Sequence, residues 1–214
     1  MKQIFQDLKN GNLLVEDIPI PRCSDDEVII KTTCSLISPG TERYVITFGQ
    51  DNFLDKAKKN PDKVKQVIDK VSSDGLLPTL KSVNNKLSEP LTLGYCNVGL
   101  VTEVGKNIKD IKVGDRVVSN GPHAEFVNVP RNLCERIPDS VSDEEAVFTI
   151  IGAISLQGIR LAKPTFGESF LVLGLGLVGI MTAKLLAASG CEVFGVDLDE
   201  SKCSFARSIG INSF

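Results

Sequence analysis

Three glycines at fixed spacing and one carboxylate are the residues in this sequence best placed to do chemistry. Gly174-Leu175-Gly176-Leu177-Val178-Gly179 follows a short apolar run, Phe170–Leu173, and opens a longer one. Asp197 stands eighteen residues beyond Gly179, at the end of a second short run, Glu192–Val196. A strand that turns on glycine into a helix aims free N–H groups, and the positive end of the helix dipole, at an anion. The first glycine permits the tight turn. The second lets a diphosphate approach the backbone, and the third lets the helix pack close to the strand. An acid ending the next strand accepts hydrogen bonds from ribose hydroxyls and repels a 2′-phosphate. The spacing therefore predicts a dinucleotide site made of Gly174, Leu175, Gly176, Leu177, Val178, Gly179 and Asp197. Asp199 and Lys202 are expected beside the adenosine end, and NAD is expected in preference to NADP. The alternative is a glycine-rich turn without a ligand.

The elements that must position this loop are legible around it. Phe170–Leu173 and Glu192–Val196 read as short buried strands, and Leu177–Ala188 and Glu200–Ile209 as helices. Leu171–Ala188 is nearly all apolar and as long as a minimal membrane span. Three glycines in its first nine residues, and Lys184 further on, favour strand, turn and helix instead. Upstream, Leu13–Val15 and Val28–Thr32 read as strands separated by the turn-like stretch Pro19–Asp26, and Ser38-Pro39-Gly40-Thr41 as a loop. Asn52–Val71 carries Val64, Val67, Ile68 and Val71 at helical spacing, with Pro61 in its first turn and Gly75 past its end. A second helical piece is expected at Pro78–Leu87, and the lysines here read as a solvated face. Gly99–Val104, Val113–Val118, Gly121–Val129 and Leu133–Arg136 read as short strands of a compact barrel. Ser142-Asp143-Glu144-Glu145 is a capping box opening a helix that runs towards Leu161, with a break near Gly152.

The 214 residues are 42% hydrophobic, enough for one large or two small cores. A net charge of −3 lacks the basic excess of a nucleic-acid binder. The N-terminus carries charges where a secretory signal would need an apolar stretch. Six scattered cysteines without a C-x-x-C pair read as free thiols of a cytoplasmic protein. Neither nucleic acid nor membrane is expected as a partner.

The chain as a whole resembles the medium-chain dehydrogenase/reductase family. The resemblance rests on GLVTEVGKNIKDIKVGDRVV (Gly99–Val118), HAEFVNVP (His123–Pro130) and the glycine loop followed by VFGVDLDESK (Val193–Lys202). A closer likeness is to the N-terminal half of bacterial two-domain oxidoreductases. It is carried by SLISPGTER, DGLLPTL, LGYCNVG, SNGPHAE and GAISLQGIRLA. The resemblance implies an α/β chain: a GroES-like β-barrel catalytic domain over 1–145, with a helical insertion near 52–87, then a connecting helix and an incomplete Rossmann domain over 146–214. It also implies alcohol–carbonyl hydride transfer on a small, sugar-like or nucleotide-sugar substrate, in a setting of polysaccharide biosynthesis.

Departures from the family pattern bear on the metal. Ser38 stands where zinc members carry a ligand cysteine, Gly94-Tyr95-Cys96 replaces Gly-His-Glu, and the third ligand position falls near Ile150. The four-cysteine structural lobe is absent, so no zinc is expected. Cys34, Cys96 and His123 are the residues that folding would have to gather for an atypical zinc site. Without a metal, hydrogen-bond donors must polarise the substrate. Tyr95 is placed to donate to a carbonyl or relay a proton, or else simply packs under the nicotinamide site. Ser38, Thr41 and Glu42 share one segment, and His123, the single histidine, is the side-chain type that ordinarily titrates nearest neutral pH. For Glu42 and His123 a structural role is the alternative, and for Cys96 a buried inert thiol.

A doubly wound sheet has about six strands. Two are visible here, and the sequence stops near Ile211–Phe214, where a third should begin. The expectation is a fragment or truncated product that lacks the nicotinamide half, binds the ADP part of NAD weakly and does not turn over. A homo-oligomer or a missing C-terminal portion would cover the exposed sheet edge. A non-catalytic NAD-binding or interaction domain, and a zinc enzyme with atypical ligands, remain the competing expectations.

Overall fold

The computed structural model describes residues 1–8, 10–50 and 89–214, together with Lys58, Pro61, Asp62, Val64, Lys65, Asp69 and Gly75. The helices expected over Asn52–Val71 and Pro78–Leu87 lie almost wholly outside the described residues.

Branched residues at alternate positions build the largest sheet. Strand β3 (Glu27–Ser35) is paired on both sides, in an antiparallel sheet that also contains β5 (Asn97–Val104), β6 (Arg116–Ser119), β7 (Phe126–Pro130) and β8 (Cys134–Arg136). The order is β7-β3-β5-β6-β8. Val28, Ile30, Val101, Val117, Val127 and Val129 pack on one side as a fully buried cluster. A second cluster forms around Cys96, Val98, Val118, Val147 and Ile151. The β3–β5 register slips between Thr32 and Cys34, leaving Thr33 as an extra residue. Such a bulge re-aims the side chains beside it, and Ser35 is the next residue but one.

A smaller antiparallel sheet runs β2-β1-β4, from β1 (Lys2–Gln6), β2 (Leu13–Asp17) and β4 (Leu91–Thr92). Gln3 bridges to Ala124 and ties the two sheets together. β1 has no counterpart among the strands read from the sequence, and β2 is exposed along its whole length despite its apolar start.

The C-terminal sheet is parallel, in the order β11-β10-β9: β9 (Ser169–Leu173), β10 (Glu192–Val196) and β11 (Asn212–Ser213). The third strand is therefore begun and pairs through Phe194 and Gly195. Among the described residues five α-helical segments are defined: α1 (Pro39–Gln50), α2 (Asp143–Ala146), α3 (Thr149–Ala162), α4 (Leu177–Ala188) and α5 (Glu200–Ser208). Packing of α4 and α5 against the parallel sheet buries Ala183, Leu186, Val193 and Cys203.

Four expectations are corrected. Ser38–Thr41 is not a loop: the helix starts at Pro39. Proline's fixed φ and missing N–H suit the first helical position, and Glu42 folds back to accept the Ser38 N–H at 2.8 Å. The helix opened by the capping box breaks at Val147–Phe148, not near Gly152. There Phe148 N–H turns to Glu145 O while Gly152 N–H bonds Phe148 O within the next helix. The stretch Val113–Val118 is half turn, with Gly114 at φ 91° and the strand starting at Arg116. β9 is not buried on both faces, since Leu171 is 60% and Leu173 77% exposed.

The capping box itself is complete: Ser142 Oγ accepts from Glu145 N, and the Glu145 carboxylate accepts from Ser142 N. Asp143–Ala162 is long and apolar enough to cross a membrane by length and composition. It is interrupted, however, and buries Ile151, Ser155 and Ile159 against protein.

Candidate functional site

At the glycine loop the backbone explains each residue. Gly174 sits at φ 90°, a region a side chain rarely tolerates. A Cβ on Gly179 would lie 1.9 Å from Gly174 O, so only glycine lets α4 start this close to β9. A Cβ on Gly176 would meet nothing within 4 Å, which leaves open space over the turn. Gly176 caps α4 without any side-chain hydrogen bond, so the first-turn N–H groups of the helix face that space. A diphosphate fits such a cradle.

Asp197 is already at work in the protein itself. Its Oδ2 accepts Leu175 N–H at 2.8 Å, its Oδ1 accepts Asp199 N–H at 2.9 Å, and Lys202 Nζ lies 3.3 Å away. The Asp199 and Leu175 N–H groups, and then Lys202, hold its carboxyl below the usual carboxylate range. An ionised carboxylate accepts about four hydrogen bonds, so capacity remains for ribose hydroxyls. Asp199 caps α5 by accepting Ser201 N–H at 3.0 Å. Leu175 is buried against Gly195, and Val178 is exposed.

The second group of candidates, scattered over 86 positions of sequence, is brought together: Ser38, Thr41 and Glu42 at the start of α1, Tyr95 before β5, and His123 before β7. Tyr95 Oη donates to Ser38 Oγ at 2.8 Å and lies 3.4 Å from Thr41 Oγ1. Behind this hydroxyl cluster, Glu42 Oε1 takes the Ser38 N–H and Glu42 Oε2 lies 3.1 Å from His123 Nε2. Ser38, Glu42 and His123 are all buried. An ionised carboxylate only accepts, so with Glu42 charged the ring proton sits on Nε2. His123 Nδ1 then accepts from Ser35 Oγ at 2.9 Å.

Ser35 was not among the sequence candidates. Its only signal there was its place at the head of the SLISPGTER stretch. Gly94 is the other unforeseen contributor: at φ 90°, with no Cβ, it lets the His123 ring lie against the backbone, where a Cβ would come within 2.7 Å of the ring.

Several features decide what the site can hold. Among the described residues, no group of three or more His, Cys, Asp or Glu side chains could bind a metal ion. Both His123 nitrogens have protein partners, and burial, with the Glu42 charge second, pushes the Cys96 thiol up to about 11. The glycine loop and the hydroxyl cluster share one apolar wall. Leu177 and Met181 of α4 pack on the same core as Tyr95.

No protein-family profile matches the chain. Among characterised proteins it is similar to D-xylulose reductase of Saccharomyces cerevisiae, with 28% identity over 94% of this chain and 56% of that one. It is also similar to (R,R)-butanediol dehydrogenase of Bacillus subtilis, with 27% identity over 56% of this chain and 43% of that one. The solved structure of galactitol-1-phosphate dehydrogenase from Escherichia coli superposes over 100% of this chain and 61% of its own length, at a TM-score of 0.75 and 19% identity. The chain thus spans about half of the relatives it matches. Its relatives and structural neighbours are medium-chain alcohol and polyol dehydrogenases and reductases, and over its whole length the chain is similar to their N-terminal portion.

Proposed function

We propose that the chain is the N-terminal part of an NAD-dependent, zinc-independent oxidoreductase. It would interconvert an alcohol and a carbonyl on a small, sugar-like substrate. In this reading residues 1–145 form a GroES-like barrel domain, and residues 146–214 begin a Rossmann domain. The carrying observation is the Tyr95–Ser38–Thr41 hydroxyl cluster, backed by the buried Glu42–His123 pair, where the family pattern would place metal ligands.

The glycine loop and Asp197 would hold the diphosphate and adenosine ribose. When bound, the nicotinamide supplies the hydride acceptor or donor. The protein does the rest. Tyr95 Oη hydrogen-bonds the substrate oxygen, with Ser38 and Thr41 fixing its direction. The hydroxyl proton passes to the hydroxyl cluster, whose Thr41 end is exposed to solvent, during oxidation and returns from it during reduction, while Glu42 anchors Ser38 N–H and His123 behind it. Buried Ser38, Glu42 and His123 form the floor of the cluster, and Thr41 at its edge is exposed. Only the 3-2-1 half of a dinucleotide-binding sheet is present here, so the chain alone is expected to bind the ADP portion without turnover.

The test combines NADH titration with a polyol and sugar-alcohol screen on a chain extended to the relatives' length. Tyr95→Phe should lower turnover by about 10²–10⁴-fold with NADH affinity unchanged. Turnover that survives Tyr95→Phe, or that needs added zinc, would overturn the reading. NADH binding with no turnover on any substrate would favour a non-catalytic binding domain.

A further inference from the structure

Hydrogen bonds run from Tyr95 to Ser38, from Ser38 to Glu42, from Glu42 to His123 and from His123 to Ser35. Ser35 reaches the ring because its own strand is irregular. Opposite β5, Thr32 pairs with Gly99, Cys34 with Val98 and Ser35 with Asn97, so Thr33 has no cross-strand partner. Side chains alternate between the two faces of a strand, and one extra residue reverses the alternation beyond it. Thr32 and Ser35 are three positions apart and would lie on opposite faces of a regular strand. Here both border the same recess beside His123. Without the bulge the Ser35 hydroxyl would point to the other face, and Nδ1 of the ring would lose its donor.

The bulge is clamped from outside the sheet. Thr33 Oγ1 donates to Asp143 Oδ2 at 2.6 Å and lies 3.3 Å from the carbonyl of Val98, across the bulge. Asp143 Oδ1 accepts from Arg116 Nε at 3.1 Å and from Arg116 Nη2 at 2.7 Å. Arg116 belongs to β6, on the far side of β5 from β3, so one carboxylate joins the two strands that flank β5. The Thr33 hydroxyl first, and Arg116 after it, hold the Asp143 carboxyl below the usual carboxylate range. Asp143 is also the first residue of α2, where the chain leaves this sheet for α3 and the parallel sheet.

We propose that Asp143 and Thr33 are positioning residues of the candidate site. The clamp fixes the bulge, the bulge aims Ser35, and Ser35 holds the His123 ring square to Glu42. The proposal rests on the oxidoreductase reading for what the site does. With Nδ1 unbonded the ring is held at one nitrogen only and can swing. Glu42 then loses a fixed partner, and so does the Ser38 N–H that sets the direction of the hydroxyl cluster. Asp143 bonds neither the ring nor the cluster, yet a displacement of α2 is felt at both through Thr33. The helical connection and the site geometry are thereby tied together.

His123 is the only histidine, so nitrogen-15 spectra of the imidazole in the 214-residue chain report on this ring alone. Ser35→Ala removes the donor to Nδ1, and the displacement of the Nδ1 signal it causes is the reference for a lost bond. Thr33→Val keeps the branched shape and drops the hydroxyl. It should move Nδ1 the same way by most of that displacement, while the ring proton stays on Nε2 opposite the intact Glu42. Asp143→Ala should move Nδ1 in the same direction. Thr33→Ser keeps the hydroxyl and should leave the signal at its wild-type position. Ser142→Ala removes the cap of α2 but spares the clamp, so it should weaken the fold without moving Nδ1. An unmoved signal in Thr33→Val, or an equal displacement in Ser142→Ala, would overturn the proposal. If Asp143→Ala fails to fold, Thr33→Val decides alone. NADH titration of wild type and Thr33→Val separates the two ideas. Binding should be equal in both, and its absence from both with the Nδ1 displacement intact would sink the oxidoreductase reading and leave the clamp standing.

Discussion

At the residue scale the site turns on small groups in fixed places. Asp197 is the clearest case, because its two oxygens join the glycine loop to the turn that starts α5. Asp197→Asn presents an NH₂ where one backbone N–H now finds an acceptor, so one of these bonds must fail. NADH affinity is expected to fall about tenfold, measured by fluorescence titration. The pH dependence has a definite sign. Since the folded-state pKa is lowered, the loop is fully anchored at and above the ordinary carboxylate range. The anchoring is lost only as pH falls through the lower folded value. Binding should thus be flat through neutral and mildly acidic pH and fail only in stronger acid. Gly94→Ala should cost about 1–3 kcal/mol in urea unfolding, because φ 90° strains any side chain and the new Cβ meets the His123 ring. Its signature is a shift of the His123 imidazole signals.

At the element scale, two close approaches decide the architecture. α4 starts against β9 only because position 179 has no side chain. Gly179→Ala drives a Cβ into a backbone oxygen, which cannot rotate away as a side chain could. A loss of about 1–3 kcal/mol is expected in thermal or urea unfolding, with weakened NADH binding. Gly176→Ala has open space at the same loop, so it should fold normally and lose only binding. α1 is the other decisive element. Its first turn carries Thr41 and Glu42, and Glu42 is also the group that ties the helix start to His123. The helix therefore cannot shift without moving the hydroxyl cluster.

At the scale of the whole molecule, the parallel sheet is the exposed part. Sheets of this kind are usually covered on both faces. Here Leu171 and Leu173 project on one side of β9 and are mostly bare, as are Leu161 and Phe166 nearby in sequence. The isolated 214-residue chain is expected to self-associate as its concentration rises, and the pair Leu171→Thr and Leu173→Thr should reduce that association. Sedimentation velocity distinguishes the outcomes, and a strictly monomeric wild-type chain would contradict the expectation.

The sequence by itself determined the glycine loop, since strand, glycine turn, helix and acid lie within one local stretch whose spacing is set by backbone geometry. It also determined the capping box and the bounds of α4, both of which depend on neighbours a few positions away. Local patterns failed where long-range packing decides. Pro39-Gly40 reads as a loop, yet the Glu42–Ser38 contact makes it a helix start, and β9 reads as buried, yet one face of it is bare. Only the tertiary structure brought Ser38, Thr41, Glu42, Tyr95 and His123 into one cluster. The same folding gave His123 its two partners, because hydrogen bonds between Ser35, Glu42 and His123 join residues up to 88 positions apart. No local pattern encodes a contact of that range.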